Sequence, residues 1–334
     1  TTAEKPERAD KAATAQSREL LLGTVEEITR QVAALRGLKQ QGTFKRGVLS
    51  RDEIGQKLRE RISKEYTPQE VRAEADVLKR MGLLPPDADY EKLLYDLLTE
   101  QVAGFYDPYS KTLYVADWLP MDMQRPAMAH EIEHALQDQH FDLQRFSKPL
   151  KDDGDRQFAR SAVVEGDGTA LMLEFAARGM NLDTTKMPQM VAKLGKPMMQ
   201  MIMSTSPSLQ RAPVILRESL MFPYVAGLEF VSAHRGTGPW SRVDELFRSP
   251  PESTEQVLHP EKFVQHEQPV RITSIGCALA GTSSSASCTI AGKPRRRLSL
   301  ALYAFSCEVV GSTPWTSRCA TSSNVDLVAR SWMS

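Results

Sequence analysis

His130-Glu131-Ile132-Glu133-His134 is the stretch on which the reading of this chain turns. On a helix from Arg125 to about Gln139, residues four apart advance about 400° around the axis and share a face. His130 and His134 then stack one turn apart, and two imidazoles so placed can hold one zinc ion at about 2.0–2.1 Å each. Glu131 projects about 100° from His130, near enough to reach a water on the ion without ligating it. Pro126 suits the first turn of such a helix, where a missing N–H leaves nothing unsatisfied. Met128, Ile132, Ala135 and Leu136 supply the apolar positions that would bury it. Two imidazoles and two carboxylates buried within five residues are unfavourable without a cation, which favours a metal over a merely hydrogen-bonded pair.

A catalytic zinc takes three protein ligands and keeps one position open. Two residues compete for the third place. His140 lies ten residues after His130, as in the pattern H-E-x-x-H-x-x-G-x-x-H, whose glycine turns the chain back to the metal. Here Gln137 holds the glycine position and favours continuing the helix. On an unbroken helix His140 would sit about 15 Å along the axis from His130, so it reads as a helix C-terminal residue facing free carbonyls. The other candidate is Glu165, in Ser161-Ala-Val-Val-Glu-Gly-Asp-Gly-Thr-Ala170. The surrounding segment, Gln157 to Arg178, is apolar and Ala-rich and predicts a buried helix. Unpaired burial of Glu165 would be expensive, and coordination removes that cost. Asp167 lies between Gly166 and Gly168, where the helix is expected to begin or kink. It is a candidate to orient His130 or His134 by accepting the distal ring N–H, with Asp138 as its rival.

His-Glu-x-x-His followed by a helix-borne Glu resembles the gluzincin group of zinc metallopeptidases. The run His134-Ala-Leu-Gln-Asp-Gln-His-Phe-Asp-Leu143 resembles a bacterial branch of that group, as do Gly104-Phe-Tyr-Asp-Pro108, Phe222-Pro-Tyr-Val-Ala-Gly227 and Ser253-Thr-Glu-Gln-Val-Leu-His-Pro260. The resemblance spans about residues 67–268, with a longer spacing from His134 to Glu165 than in thermolysin-like members. It implies an α+β, predominantly helical fold: a zincin-like core with a small sheet, the motif helix and a Glu-bearing ligand helix. It also implies hydrolysis of peptide bonds, with Zn2+ on His130, His134 and Glu165 and with Glu131 as general base. The alternatives are a catalytically silent peptide-binding protein of that fold and a zinc hydrolase of a non-peptide amide. For the donor to the developing oxyanion, His259 is the first candidate and Tyr224 the second. Val102 to Tyr106 and Thr112 to Ala116 are β-prone runs around the turn formers of Asp107–Lys111, which predicts a hairpin. In proteins of this group the edge strand beside the metal pairs with an extended peptide substrate.

The 334 residues carry 42 basic and 42 acidic side chains, a balance that argues against nucleic acid as a partner. No apolar run approaches the roughly 18 residues needed to cross a bilayer, so no transmembrane segment is expected. The partner implied is a peptide or protein substrate. The chain begins at Thr1 without Met, as removal of a signal peptide would leave it; a secreted or periplasmic location is expected, with a cytoplasmic one as the alternative. Residues 1–15 are polar and expected to fray, and residues 16–86 form an accessory helical region. Within it, Ser17 to about Leu38 is amphipathic, and Asp52 to Tyr66 is a charged helix with apolar contacts at Ile54, Leu58 and Ile62. Thr67-Pro-Gln-Glu70 is a capping box opening a helix that Gly82 closes, and Pro85-Pro86 break the chain before Tyr90 to Gln101. The metallopeptidase-like domain is placed at 87–271. Six methionines between Met187 and Met203 read as core or groove lining. Residues 272–334 differ in texture: Ser-rich, with all four cysteines. They read as a disordered or out-of-frame tail, the alternative being a secreted segment with two disulfides.

Overall fold

A computed structural model describes residues 4–65, 67–101, 103–118, 120–148, 150, 153–182, 193, 197, 200–201, 204–270, 275–278, 287–290, 306–307 and 319–320. The architecture is α+β and predominantly helical, with one three-stranded sheet beside the motif helix. Helix α1 (Glu4–Arg36) begins well before Ser17, and it buries Leu21, Val25, Ile28, Val32 and Leu35. Those positions are spaced three and four apart, so they form one apolar stripe. The following strand β1 (Lys45–Leu49) has no clear alternation in sequence and was not expected; it pairs in parallel with β3 (Thr112–Ala116). The hairpin is present: β2 (Gly104–Asp107) runs antiparallel to β3, with Phe105 opposite Tyr114. Asp107 stabilises the turn by accepting from the Tyr109 N–H at 3.0 Å, and Lys111 adopts φ 52°. Sheet order is β1-β3-β2, which leaves β2 at the edge.

Between β1 and β2 run α2 (Arg51–Glu65), α3 (Pro68–Arg80) and α4 (Tyr90–Gln101). Ile54, Leu58 and Ile62 are buried as their period requires. The capping box at α3 is formed on both sides. Thr67 Oγ1 accepts from the Glu70 N–H at 3.3 Å, and the Glu70 carboxylate accepts from the Thr67 N–H at 2.7 Å. Gly82 closes the helix at φ 71°.

The motif helix α5 (Met121–Phe141) starts four residues earlier than expected, so Pro126 lies inside it rather than in its first turn. Its missing N–H leaves one carbonyl of the first turns without the usual helical donor. Asp142, at φ 55°, ends α5 and caps the short α6 (Leu143–Phe146). The Glu-bearing helix α7 (Gly154–Gly179) is continuous through Gly166 and Gly168 and does not begin there. Beyond it lie α8 (Pro207–Arg211), α9 (Val214–Arg235), a 3-10 turn (Trp240–Arg242), α10 (Val243–Arg248), α11 (Thr254–Leu258) and α12 (Pro260–Val264).

Two apolar clusters hold these elements. One joins α1, α5, α7, α9 and α10 to the sheet through residues such as Ile28, Val32, Leu113, Ile132, Leu136, Val163, Leu171 and Phe230. The other joins α2, α3 and α4 to α8 and the first turns of α9 through Ile54, Leu78, Leu94, Leu98, Leu209 and Leu216. Among the described residues no helix is long and apolar enough to cross a membrane. Most of the segment read as a disordered or out-of-frame tail lies outside the described residues. Its described parts are two antiparallel pairs, Ile275–Ala278 with Ser287–Ile290 and Ser306–Cys307 with Cys319–Ala320. Cys277 is opposite Cys288, and Cys307 opposite Cys319.

Candidate metal centre

The helix period of α5 sets His130 and His134 on one face, their ring centroids 4.5 Å apart at 85°. Helix α7 packs across that face and delivers Glu165. Nε2 of His130 is 3.0 Å from Nε2 of His134 and 3.0 Å from Glu165 Oε2, which lies 3.4 Å from His134 Nε2. A tetrahedral ion with bonds of about 2.0–2.1 Å has ligand–ligand edges of about 3.3–3.4 Å, so three donors in this arrangement suit one small cation. All three residues are buried, Glu165 to 1% exposure. Two of their polar atoms, Glu165 Oε1 and His130 Nδ1, have no hydrogen-bond partner. Coordination of the carboxylate offsets the desolvation penalty of its orphaned oxygen, whereas His130 Nδ1 is the ring nitrogen away from the triad. Among the described residues this is the one group of three donors that could hold a metal ion.

Two glycines make the approach of the helices possible. A Cβ on Gly168 would lie 2.9 Å from His130 Cε1 and 3.2 Å from His134 Cε1, so any side chain there would press on both rings. A Cβ on Gly166 would fall 2.3 Å from the Gly227 carbonyl carbon, so its absence lets α9 pack backbone to backbone on α7. The glycines expected to break α7 serve as clearances within it.

Burial alone pulls the His134 imidazole down, but the charge and hydrogen bond of Glu165 outweigh it and raise it to about 10. Burial pushes Glu165 up, and the charge of His134 with the bonds from both rings outweighs that, holding it at about 2. Glu131 is raised, chiefly by burial, with His130 and His134 opposing. Its Oε2 accepts the Tyr106 backbone N–H at 2.9 Å, which ties the motif helix to edge strand β2. A second tie between hairpin and helix is Asp138, whose Oδ2 accepts from the Tyr106 hydroxyl and from Lys111 Nζ, both at 2.7 Å.

The structure brings His130, Glu131, His134, Glu165 and Tyr224 together. The Tyr224 ring, on α9, stacks on His130 at 6.0 Å and 28°, and its hydroxyl is hydrogen-bonded to Glu165. Burial first, and then the charges of Glu165 and Glu131, push its ionisation well above the usual phenol range. His259 stands apart between α11 and α12; its ring is 47% exposed and faces Glu261 at 3.5 Å and Glu255 at 3.9 Å. His140 accompanies the end of α5 and bonds the Lys39 carbonyl at 2.7 Å. Neither candidate for orienting the ligand rings touches one. Asp138 serves the hairpin, and Asp167 meets His134 only through Gln137, whose Oε1 is 2.8 Å from His134 Nδ1 and whose Nε2 donates to Asp167 Oδ2 at 2.9 Å. Of the six methionines, Met201 is 64% exposed rather than core; the other five lie outside the described residues.

Sequence reasoning gave no role to three buried polar residues: Gln137, Glu133 and Arg36. Gln137 and Glu133 sit beside the ligands, where a fully buried polar helix position is itself a signal. Arg36 has none, because its partner Asp167 is 131 residues away. No protein-family model matches the chain, and no curated protein or solved structure is significantly similar to it.

Proposed function

We propose that this protein is a zinc-dependent peptidase of zincin-like architecture, similar in its donor set to the gluzincins. The observation that carries the reading is the convergence of His130, His134 and Glu165 with Glu131 beside them, on the spacing that a catalytic zinc requires. The His2Glu set supplies three donors and leaves a fourth position for water, as catalytic rather than structural zinc sites do. When bound, the ion lowers the pKa of its water and polarises the carbonyl to be attacked.

The residues of the chain then divide the work. Glu131 takes the proton from the attacking water and hands it to the leaving nitrogen. Its position suits this: one oxygen is held by the Tyr106 N–H, and burial raises its proton affinity. Tyr224 keeps its proton across the working range and donates to the oxygen on which charge develops. Strand β2, at the sheet edge and bonded to Glu131, is placed to pair with an extended chain, whose main chain would carry the affinity. His259, exposed and paired with acids, has no part in this scheme.

The test is hydrolysis of casein or a peptide library with and without a chelator. Chelation should abolish turnover and zinc should restore it. Glu131→Gln should retain zinc and lose turnover by several orders of magnitude; full activity in that variant would rule the mechanism out.

A further inference from the structure

The ring nitrogen of His134 that faces away from the triad is the end of a buried chain of polar groups that begins on α1. Gln137 is fixed first. Its Nε2 lies 2.9 Å from Asp167 Oδ2 and 3.2 Å from the Val164 carbonyl, and both are acceptors, so the amide nitrogen must face them. Its Oε1 therefore faces His134 Nδ1 at 2.8 Å. A carbonyl oxygen only accepts, so Nδ1 carries a proton, and Nε2 is the nitrogen left to exchange its own proton for an ion at the triad. Asp167 is fixed in turn by Arg36, which grips it with two bonds, Nε to Oδ1 at 2.9 Å and Nη2 to Oδ2 at 3.1 Å. The guanidinium is wholly buried, with Asp244 Oδ1 on its Nη1 at 2.8 Å and the Trp240 ring 5.0 Å from its central carbon. A planar fork bonded along two of its edges leaves the carboxylate one orientation, which a lysine would not impose.

We propose that the last turn of α1 is a working part of the metal site, with Arg36 a positioning residue that acts through Asp167 and Gln137 to hold the His134 ring and its Nδ1–H tautomer. The inference rests on the zinc reading above. It makes the N-terminal helix a condition of metal affinity rather than an accessory. The use of a neutral amide as the last link has a physical consequence. Orientation passes from Asp167 to His134 while the negative charge stays one residue back, paired with Arg36. Outer groups that orient a ligand imidazole are typically worth about 10–100-fold in metal affinity.

Gln137→Met cuts the chain without disturbing the Arg36 ion pairs, and Arg36→Lys keeps the charge but loses the fork. Arg36→Met leaves its acids unpaired and acts on stability directly, so these two variants carry the test. Arg235→Lys, at the neighbouring buried arginine that pairs with Glu174 and lies over Trp240 at 3.8 Å, is the control. Zinc dissociation constants come from chelator competition, the His134 Nδ1–H signal from nitrogen-edited NMR, and the coordination geometry from the visible spectrum of the cobalt-substituted protein. Gln137→Met is expected to weaken zinc by about 10–100-fold, to shift the Nδ1–H signal and to alter the cobalt spectrum. Arg36→Lys should do so by a smaller factor, and Arg235→Lys should change none of the three. If Gln137→Met and Arg36→Lys lower only thermal stability and bind zinc like the parent, the proposal is overturned while the zinc reading stands. If the parent protein itself binds no zinc, both fall together.

Discussion

Two clusters of buried charge meet on α5, and they are balanced by different means. In the first, Arg36 gathers Asp167, Asp244 and Glu133 around a single guanidinium. Burial pulls Arg36 down, and its acids outweigh that and raise it; burial, with Asp167 next, pushes Glu133 well above the carboxylate range against the pull of Arg36. In the second, His130, His134, Glu165 and Glu131 share a site with no permanent cation among them. Within the chain, a proton on His134, held there by Glu165, offsets part of that charge. A guanidinium built into the chain makes the first cluster part of the fold. On the proposed function the second is completed by a cation from solution, which would distinguish a metal centre from a buried ion pair.

The comparison can be broken most forcefully on its first side. Arg36→Met should lower the unfolding free energy by about 3–5 kcal/mol, because removing one partner of a buried pair strands the other charges. Denaturant unfolding measures this, and the loss should already appear in chelated protein, where no ion contributes. On the second side the missing cation is supplied by mass action. Zinc at 100 times its dissociation constant should stabilise the parent by about 2.7 kcal/mol, and His130→Ala should show none of that gain. Equal stabilisation of both by zinc would erase the distinction between the clusters.

A pH series sharpens the contrast. In chelated protein, the raised His134 contributes stability that is complete below 6.5 and lost as pH climbs toward 10. The depressed Glu165 contributes stability present above 4.5 and lost as pH falls toward 2. The pair therefore helps the metal-free protein most between pH 4.5 and 6.5. On the proposal that zinc takes the place of that proton, the gap in melting temperature between zinc-loaded and chelated protein should widen from pH 6.5 to 9. A gap that narrows over this range would speak against the exchange of proton for metal.

Gly168→Ala is a smaller perturbation of the second cluster alone. Its Cβ would crowd both imidazoles, so zinc affinity should fall by about tenfold, equivalent to ~1.4 kcal/mol, as chelator competition would register. Smallest of all, Thr67→Ala at the α3 capping box should cost about 1 kcal/mol of stability and leave zinc affinity unchanged.

What was legible in the sequence follows from how local each feature is. The motif pair needs only one helical turn, and the convergence of Glu165 on it was readable as a charge in an apolar helix that nothing nearby could pair. Helices α2, α3 and α4 carry their period and their stops within a dozen residues, so their bounds were readable too. Strand β1 was not, because Lys45-Arg-Gly-Val-Leu49 shows its strand character only against β3, 67 positions on. Pro126 and the pair Gly166 and Gly168 were misread for one reason. Local propensity places such residues at helix starts or kinks, whereas packing keeps α5 and α7 continuous through them and uses the glycines as space. The Arg36–Asp167–Gln137 chain spans three helices and has no local trace. His259 shows the opposite error: a histidine in a segment resembling a family is not thereby near its metal.

Elemental analysis of the purified, dialysed protein tests the central claim most directly. One zinc per chain is predicted for the parent and for Glu131→Gln, and close to none for His130→Ala, His134→Ala or Glu165→Ala. A parent without bound zinc, or ligand variants that retain a full equivalent, would contradict it.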